Sequence, residues 1–283
     1  MAGLGFGLDG RILLVTGAGS GIGKATALRA ARDGARLACV DVNAETAAAT
    51  ADEIRAAGGE AVADSYDVRD HAQTRHVVDR IEREFGPIDG LVAVAGISRP
   101  GFATEMAPED WAAVVDTNLT GLFYTVQAVG DRMIGRNRGA IVTISSMDGI
   151  GGHAGRVHYC ASKFGVVGLT KTLAIEWGRH GVRVNAIAPG VVGTPMLERN
   201  APPGFLAEVP LDRTPLGRFS AATEQAEPIL FLLSDAASFI TGTVLSTDGG
   251  ISAGAMIRWQ GADLGSKALF EAGRYGPAPS GTV

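Results

Sequence analysis

A chain of 283 residues, 46% hydrophobic and 19% charged, is long enough to bury the core of one large α/β domain. Its net charge of −5 leaves no basic footprint for nucleic acid. No apolar stretch reaches transmembrane length and residues 1–7 lack the charged start and apolar core of a secretory leader, so a cytoplasmic protein with no nucleic-acid or membrane partner is expected.

Strands and helices alternate along the chain. Arg11–Val15 is a short apolar run that reads as a buried strand. The glycine-rich turn Thr16–Gly23 follows, then an Ala-rich helix over Lys24–Asp33 that Gly34 ends. Arg36–Asp41 reads as a second strand and Ala44–Ala57 as a helix closed by Gly58 and Gly59. A third strand is predicted over Glu60–Tyr66, a helix over His71–Phe85 and a fourth strand over Ile88–Val94. A long helix lies within Pro108–Ile134, and Gly139–Ser145 is the fifth strand. Val157–Arg179 is helical and Val182–Ala188 is the sixth strand. Thr223–Leu233 is a helix with a kink expected at Pro228, and Thr243–Thr247 is the last strand. Such alternation specifies a doubly wound, Rossmann-like parallel sheet with helices on both faces. Ligands then bind at the carboxyl ends of the strands, where the glycine turn, Asp41, Gly96, Ser146 and Pro189 all fall.

Strand, glycine turn and helix together make a nucleotide-diphosphate site. Gly17, Gly21 and Gly23, with Ser20 and Ile22 between them, let the backbone approach phosphates at a helix N-terminus. Their spacing differs from the commoner G-x-G-x-x-G pattern. Asp41, about 20 residues further on, can accept hydrogen bonds from ribose hydroxyls and repels a 2′-phosphate. Neither Ser20 nor Val42 offers a positive charge to such a phosphate, so the expected cofactor is NAD(H).

Tyr159 and Lys163 are four apart on a helix and share a face. A cation about 4 Å from the phenol, at an effective dielectric of about 20, favours the phenolate by roughly 4 kcal/mol. That brings a phenol toward working pH, where a general acid/base is most effective. Cys39 and Cys160 form neither a disulfide framework nor, as two scattered thiols, a metal site. Both read as packed thiols.

These features, with Ser146, with Asn118 in Asp116–Gly121, with Asn185–Gly190 and with the late Asp248-Gly249-Gly250, resemble the short-chain dehydrogenase/reductase family from about Leu8 to about Ser252. One departure is Ala93-Val94-Ala95-Gly96, where the family usually carries Asn-Asn-Ala-Gly and the asparagine supports the sheet. The resemblance implies a catalytic set of Asn118, Ser146, Tyr159 and Lys163. Tyr159 would move the hydroxyl proton and Ser146 would hold the substrate oxygen. Lys163 would depress the Tyr159 pKa and bind the nicotinamide ribose, and Asn118 would hold a relay water. By the same resemblance Asp67 and Val68 meet the adenine and Ala95 and Gly96 the adenosine ribose. Pro189, Gly190, Val192 and Thr194 belong to the nicotinamide side, Val192 and Thr194 holding the carboxamide.

Residues 147–158 line the substrate site in the family. His153 is its most prominent polar group, Arg99 a candidate anion ligand or rim charge, and Phe102 and Met147 candidate apolar walls. Trp111 and Trp177 read as packing or interface residues. The organisation implied is one catalytic domain, 1–254, with a Pro-rich lid at about 194–222 and a C-terminal extension, 255–283. The stretch 255–270 of that extension is expected to dock, partly helical. A homotetramer is expected, with Phe164, Val167, Leu169, Leu173 and Trp177 giving the catalytic helix more apolar surface than one core face needs.

The activity implied is interconversion of a secondary alcohol and a ketone with NAD. A 3-oxoacyl thioester reductase is the alternative, against which Asp41 weighs because that chemistry commonly uses NADPH. A nucleotide-sensing protein without turnover is the alternative of another class, against which the retained Tyr159 and Lys163 weigh.

Overall fold

The computed structural model describes residues 5–200, 213–254, 258–259 and 262–263. Its centre is a parallel sheet of seven strands. They are β1 (Ile12–Thr16), β2 (Arg36–Asp41), β3 (Ala61–Ser65), β4 (Gly90–Ala93), β5 (Gly139–Ile144), β6 (Val182–Pro189) and, last in sequence, Val244–Thr247. The order is β3-β2-β1-β4-β5-β6 with Val244–Thr247 at the far edge. The chain winds outward from β1 to β3, then crosses back to β4 beside β1. The reversal leaves a crevice above the carboxyl ends of β1 and β4.

Strands buried on both faces need apolar side chains throughout. Every residue of β1 and of β4 is buried. One face is covered by α1 (Gly21–Arg32), α2 (Ala44–Ala56) and a late helix, Ala222–Leu233, whose Ala27, Ala30, Ile54, Ile229 and Leu230 pack on Leu13, Val15 and Leu37. The other is covered by α3 (His71–Glu84), by α4 (Pro108–Val115) and α5 (Leu122–Arg136), and by α6 (Val157–Trp177). There Val78, Ile81, Val126, Met133 and Val166 close over Leu14, Leu91 and Ile141. The helices start where capping groups allow: Asn43 Oδ1 accepts from the N–H of Glu45 and Thr46, and Asp70 Oδ1 from that of Gln73.

The long helix is not uniform. Between α4 and α5, residues Asp116–Gly121 wind as a π-helical turn, which carries Asn118, fully buried, into the interior. Helical periodicity alone does not reveal one extra residue in a turn. Three short elements were also beyond the sequence pattern: β7 (Val192–Gly193), α7 (Pro195–Asn200) and β8 (Ser220–Ala221), the two strands pairing in parallel. The late helix, α8 (Ala222–Leu233), runs through Pro228. Its last carbonyls are held by Arg183 of β6, whose guanidinium donates to Leu232, Leu233 and Ser234 at 2.6, 3.2 and 3.0 Å. The final strand is β9 (Val244–Thr247), beside β6.

Val94 replaces the family's asparagine without leaving its backbone loose. The Thr16 hydroxyl accepts from the N–H of Val94 at 3.1 Å and of Ala95 at 3.3 Å, tying the end of β4 to β1. Of the predicted lid, residues 201–212 lie outside the described residues. So does most of the extension, where Arg258–Trp259 and Ala262–Asp263 pair as an antiparallel ribbon rather than a helix.

Candidate active site

A cleft of about 1060 Å³ opens at the carboxyl ends of the strands. It is lined by Gly17, Ser20, Gly21, Ile22, Asp41, Val42, Asp67, Val68, Ala95, Gly96, Pro189, Gly190, Val192 and Thr194, together with Ser146, Tyr159 and Lys163. Gly23 and Asn118 stand behind this wall, and Phe102 is not part of it.

At one end the cleft is made of main chain. Gly17 has a φ of +67°, and a Cβ there would lie 3.0 Å from the Ala95 nitrogen. A Cβ on Gly23 would overlap the Gly17 carbonyl oxygen. The turn therefore admits only glycine at these two positions, and helix α1 starts directly behind it with free N–H groups. Ser20, its N-cap, makes no side-chain cap bond, so its hydroxyl is left for the cleft. Asp41 closes this end. Its Oδ2 accepts from Gly19 N–H at 3.0 Å and its Oδ1 from Asn43 N–H at 3.1 Å, fixing the carboxylate under the turn. Asp67 lies further along. Arg69 grips its carboxylate and holds it below the usual range. A cradle closed by glycines, a helix N-terminus and an acid at the end of β2 fits a nicotinamide dinucleotide, with its diphosphate on the turn.

At the other end side chains converge. Ser146 follows β5, and its hydroxyl accepts from Asp148 N–H at 3.1 Å. The neighbouring Ser145 hydroxyl instead donates to the Lys163 carbonyl at 3.1 Å, so Ser146 is the serine with its hydroxyl toward Tyr159. Lys163 Nζ is buried, donates to the Ile144 carbonyl at 2.8 Å and lies 5.5 Å from the Tyr159 ring centroid. Burial pulls this lysine down to about 8, with Asp148 acting in the opposite direction. Burial also pushes Tyr159 up to about 12, Asp148 adds to this, and Arg156 and the Ser146 hydroxyl pull it down. The lowering expected from Lys163 is not realised in this arrangement: desolvation dominates, and the groups that pull the phenol down are Arg156 and Ser146, while the ammonium is turned to the Ile144 carbonyl.

Asn118 does not reach the cleft. Its amide accepts from Ile97 N–H at 2.8 Å, donates to the Ile97 carbonyl at 2.9 Å and to the Ser162 hydroxyl at 3.4 Å. It thereby clamps the loop after β4 to α6. Arg99 is paired with Asp110 at 2.6 Å on the surface. His153 Nδ1 lies 3.0 Å from Asp148 Oδ1. Since an ionised carboxylate only accepts, the ring nitrogen is the donor. Asp148, buried two positions after Ser146, and Arg156, three before Tyr159, belong to the 147–158 stretch expected to line the site, though neither was singled out from the sequence. Cys160 is buried beside them, and burial pushes its thiol up.

The family model described as enoyl-(acyl carrier protein) reductase matches residues 17–252. The chain is 43% identical over 244 residues to a 3-oxoacyl-acyl-carrier-protein reductase of Thermotoga maritima, covering 86% of this chain and 98% of that one. It is 45% identical over 245 residues to a D-threitol dehydrogenase of Mycolicibacterium smegmatis, covering 87% and 94%. Among solved structures, a gluconate 5-dehydrogenase of Burkholderia cenocepacia, in complex with NADP and tartrate, superposes with a TM-score of 0.83. It has 36% identity, and the match covers 89% of this chain and 98% of that one. A Rossmann-like sheet with a dinucleotide cradle and a Ser–Tyr–Lys cleft defines a nicotinamide-dependent oxidoreductase. The chain belongs to the short-chain dehydrogenase/reductase family.

Proposed function

We propose that this chain interconverts a secondary alcohol and a ketone with NAD(H), using Tyr159 as the general acid/base. The observation that carries the reading is the convergence of Ser146, Tyr159 and Lys163 in the cleft that also holds the glycine cradle. A bound nicotinamide supplies the hydride donor or acceptor. Ser146 positions the substrate oxygen. Tyr159 gives its proton to that oxygen in reduction and takes it in oxidation, and Lys163, while charged, favours the phenolate. Asn118 acts from behind by fixing the loop of Ile97 and the helix of Ser162.

Asp41 supports NAD over NADP. Its carboxylate is locked at the adenosine end of the cleft. Val42 beside it is 71% exposed and uncharged, and Arg69 is engaged by Asp67. Reduction of NAD+ against a panel of secondary alcohols, polyols and hydroxyacyl thioesters tests the reading. No turnover with either nicotinamide cofactor would refute it.

A second reading is favoured by the relative from Thermotoga maritima: reduction of 3-oxoacyl thioesters. Higher kcat/KM on a 3-oxoacyl thioester than on any free alcohol or ketone would select it. We also propose a homotetramer. Phe164 on α6, Trp111 on α4 and Phe123 on α5 are 48, 42 and 37% exposed, whereas Leu173 is buried and Leu169 and Trp177 pack against the core. Sedimentation showing only monomer at micromolar concentration would overturn this.

A further inference from the structure

We propose that Arg156 receives a carboxylate of the substrate, so that the reacting alcohol or ketone belongs to a hydroxy or oxo acid whose reacting carbon lies within a few bonds of that carboxylate. The inference rests on the redox reading above and names the substrate class for the same cleft.

Arg156 is the residue before α6, and it lines the cleft half-buried. Its guanidinium carbon lies 5.8 Å from the Tyr159 ring centroid, and Nη1 donates to the Ser98 hydroxyl at 3.3 Å. A guanidinium carries five N–H donors in a planar fork, and one hydroxyl leaves most of them unused. Among the described residues no carboxylate lies within ion-pair distance of it. The other cleft arginines differ. Arg69 is gripped by Asp67, Arg99 is paired with Asp110, Arg199 is exposed on the short helix α7, and Arg213 has an interaction of its own. The nearby acid, Asp148, is turned to His153. A guanidinium on the cleft wall without a carboxylate partner can receive an anion, and a bidentate carboxylate matches its fork.

Distance sets the kind of acid. The guanidinium lies over the ring whose hydroxyl addresses the reacting oxygen. A carboxylate held there is separated from the reacting carbon by a few bonds. An acyl chain on a pantetheine arm carries its nearest anion, the phosphate, a long chain away from the ketone. That group could not reach Arg156 while the ketone sits at Tyr159. The guanidinium thus favours small hydroxy acids and aldonates over thioesters.

The test compares matched substrates: gluconate with sorbitol, and 3-hydroxybutyrate with 3-hydroxybutanamide. Each is assayed for NAD(P)+ reduction by the wild type and by Arg156→Gln and Arg156→Lys. Arg156 also neighbours the Tyr159 ring, so its loss will slow every substrate. The ratio of kcat/KM for acid over neutral partner removes that common effect. In the wild type at least one pair should favour the acid. Arg156→Gln should lower that ratio about ten- to hundredfold, mainly through KM for the acid. Arg156→Lys should restore part of it. Wild-type turnover without preference for either acid overturns the inference while leaving the redox reading intact. So does an Arg156→Gln variant in which acid and neutral substrates fall alike. If no alcohol is turned over, the redox reading itself fails in this panel, and binding decides. Tartrate should then raise the melting temperature of the NADH-saturated wild type more than erythritol does, and do so less in Arg156→Gln. Equal effects of tartrate on the two proteins would overturn the inference.

Discussion

The two ends of the cleft are built by different means. The dinucleotide end is main chain: two glycines without room for a Cβ, a helix start, and Asp41 locked by two backbone N–H groups. The other end is side chains: Ser146, Asp148, His153, Arg156, Tyr159 and Lys163, of which Asp148 and Lys163 are ionisable and buried. A backbone cradle is rigid and sensitive to size, so it binds one shape. A cluster of charges is sensitive to each member's neighbours, so it can be retuned one residue at a time.

The largest expected effect breaks one end and spares the other. Tyr159→Phe should cut turnover about a thousandfold while NADH binding stays nearly intact, checked by steady-state rates and by NADH fluorescence titration. Substantial residual activity would sink the role given to Tyr159. The next change acts at the main-chain end. Asp41→Ala with Val42→Arg should move the kcat/KM ratio of NADP+ to NAD+ about a hundredfold toward NADP+, since like-charge repulsion goes and a phosphate partner arrives. A wild type that already prefers NADP+ would show the cofactor reading to be wrong.

Lys163 sharpens the contrast through stability. Its folded value of about 8 lies below its unfolded value near 10.5. The unfolded chain therefore binds more protons between these values, and stability rises with pH across that window. At neutral pH holding the ammonium in the cleft costs a few kcal/mol. Lys163→Met should abolish turnover yet raise the melting temperature by several degrees at pH 7, and the gain should shrink as pH climbs from 8 to 10.5. A variant less stable than wild type at neutral pH would contradict this. The smallest effect belongs to Asp148. It raises both Tyr159 and Lys163. Asp148→Asn should therefore shift the rising limb of the pH profile for alcohol oxidation downward, by a fraction of a pH unit. An unmoved or upward-shifted limb would show that this carboxylate does not act on the phenol.

The same division explains what could be read from the sequence. The glycine turn, Asp41 and the Tyr159–Lys163 pair are local patterns, because chain geometry demands those residue types at those spacings. The winding of the sheet was legible for the same reason, from strands and helices in strict alternation. The setting of Arg156 was not, because its partner comes from elsewhere. Ser98 meets Arg156 only because the loop after β4 is stitched to the segment before α6, Gly101 N–H donating to the Gly155 carbonyl at 2.9 Å. The pairing of Val192–Gly193 with Ser220–Ala221 is likewise too short and too distant to leave a pattern.

The π-helical turn at Asp116–Gly121 gives the long helix a slack of one residue. An α-helix advances about 100° per residue, and a π turn advances less, so these 6 residues cover the rotation that one residue fewer would cover in an α-helix. Deleting one residue from this turn would restore ordinary winding while α4 and α5 kept their facing. The Asn118 clamp on Ile97 and Ser162 is what such a deletion would open.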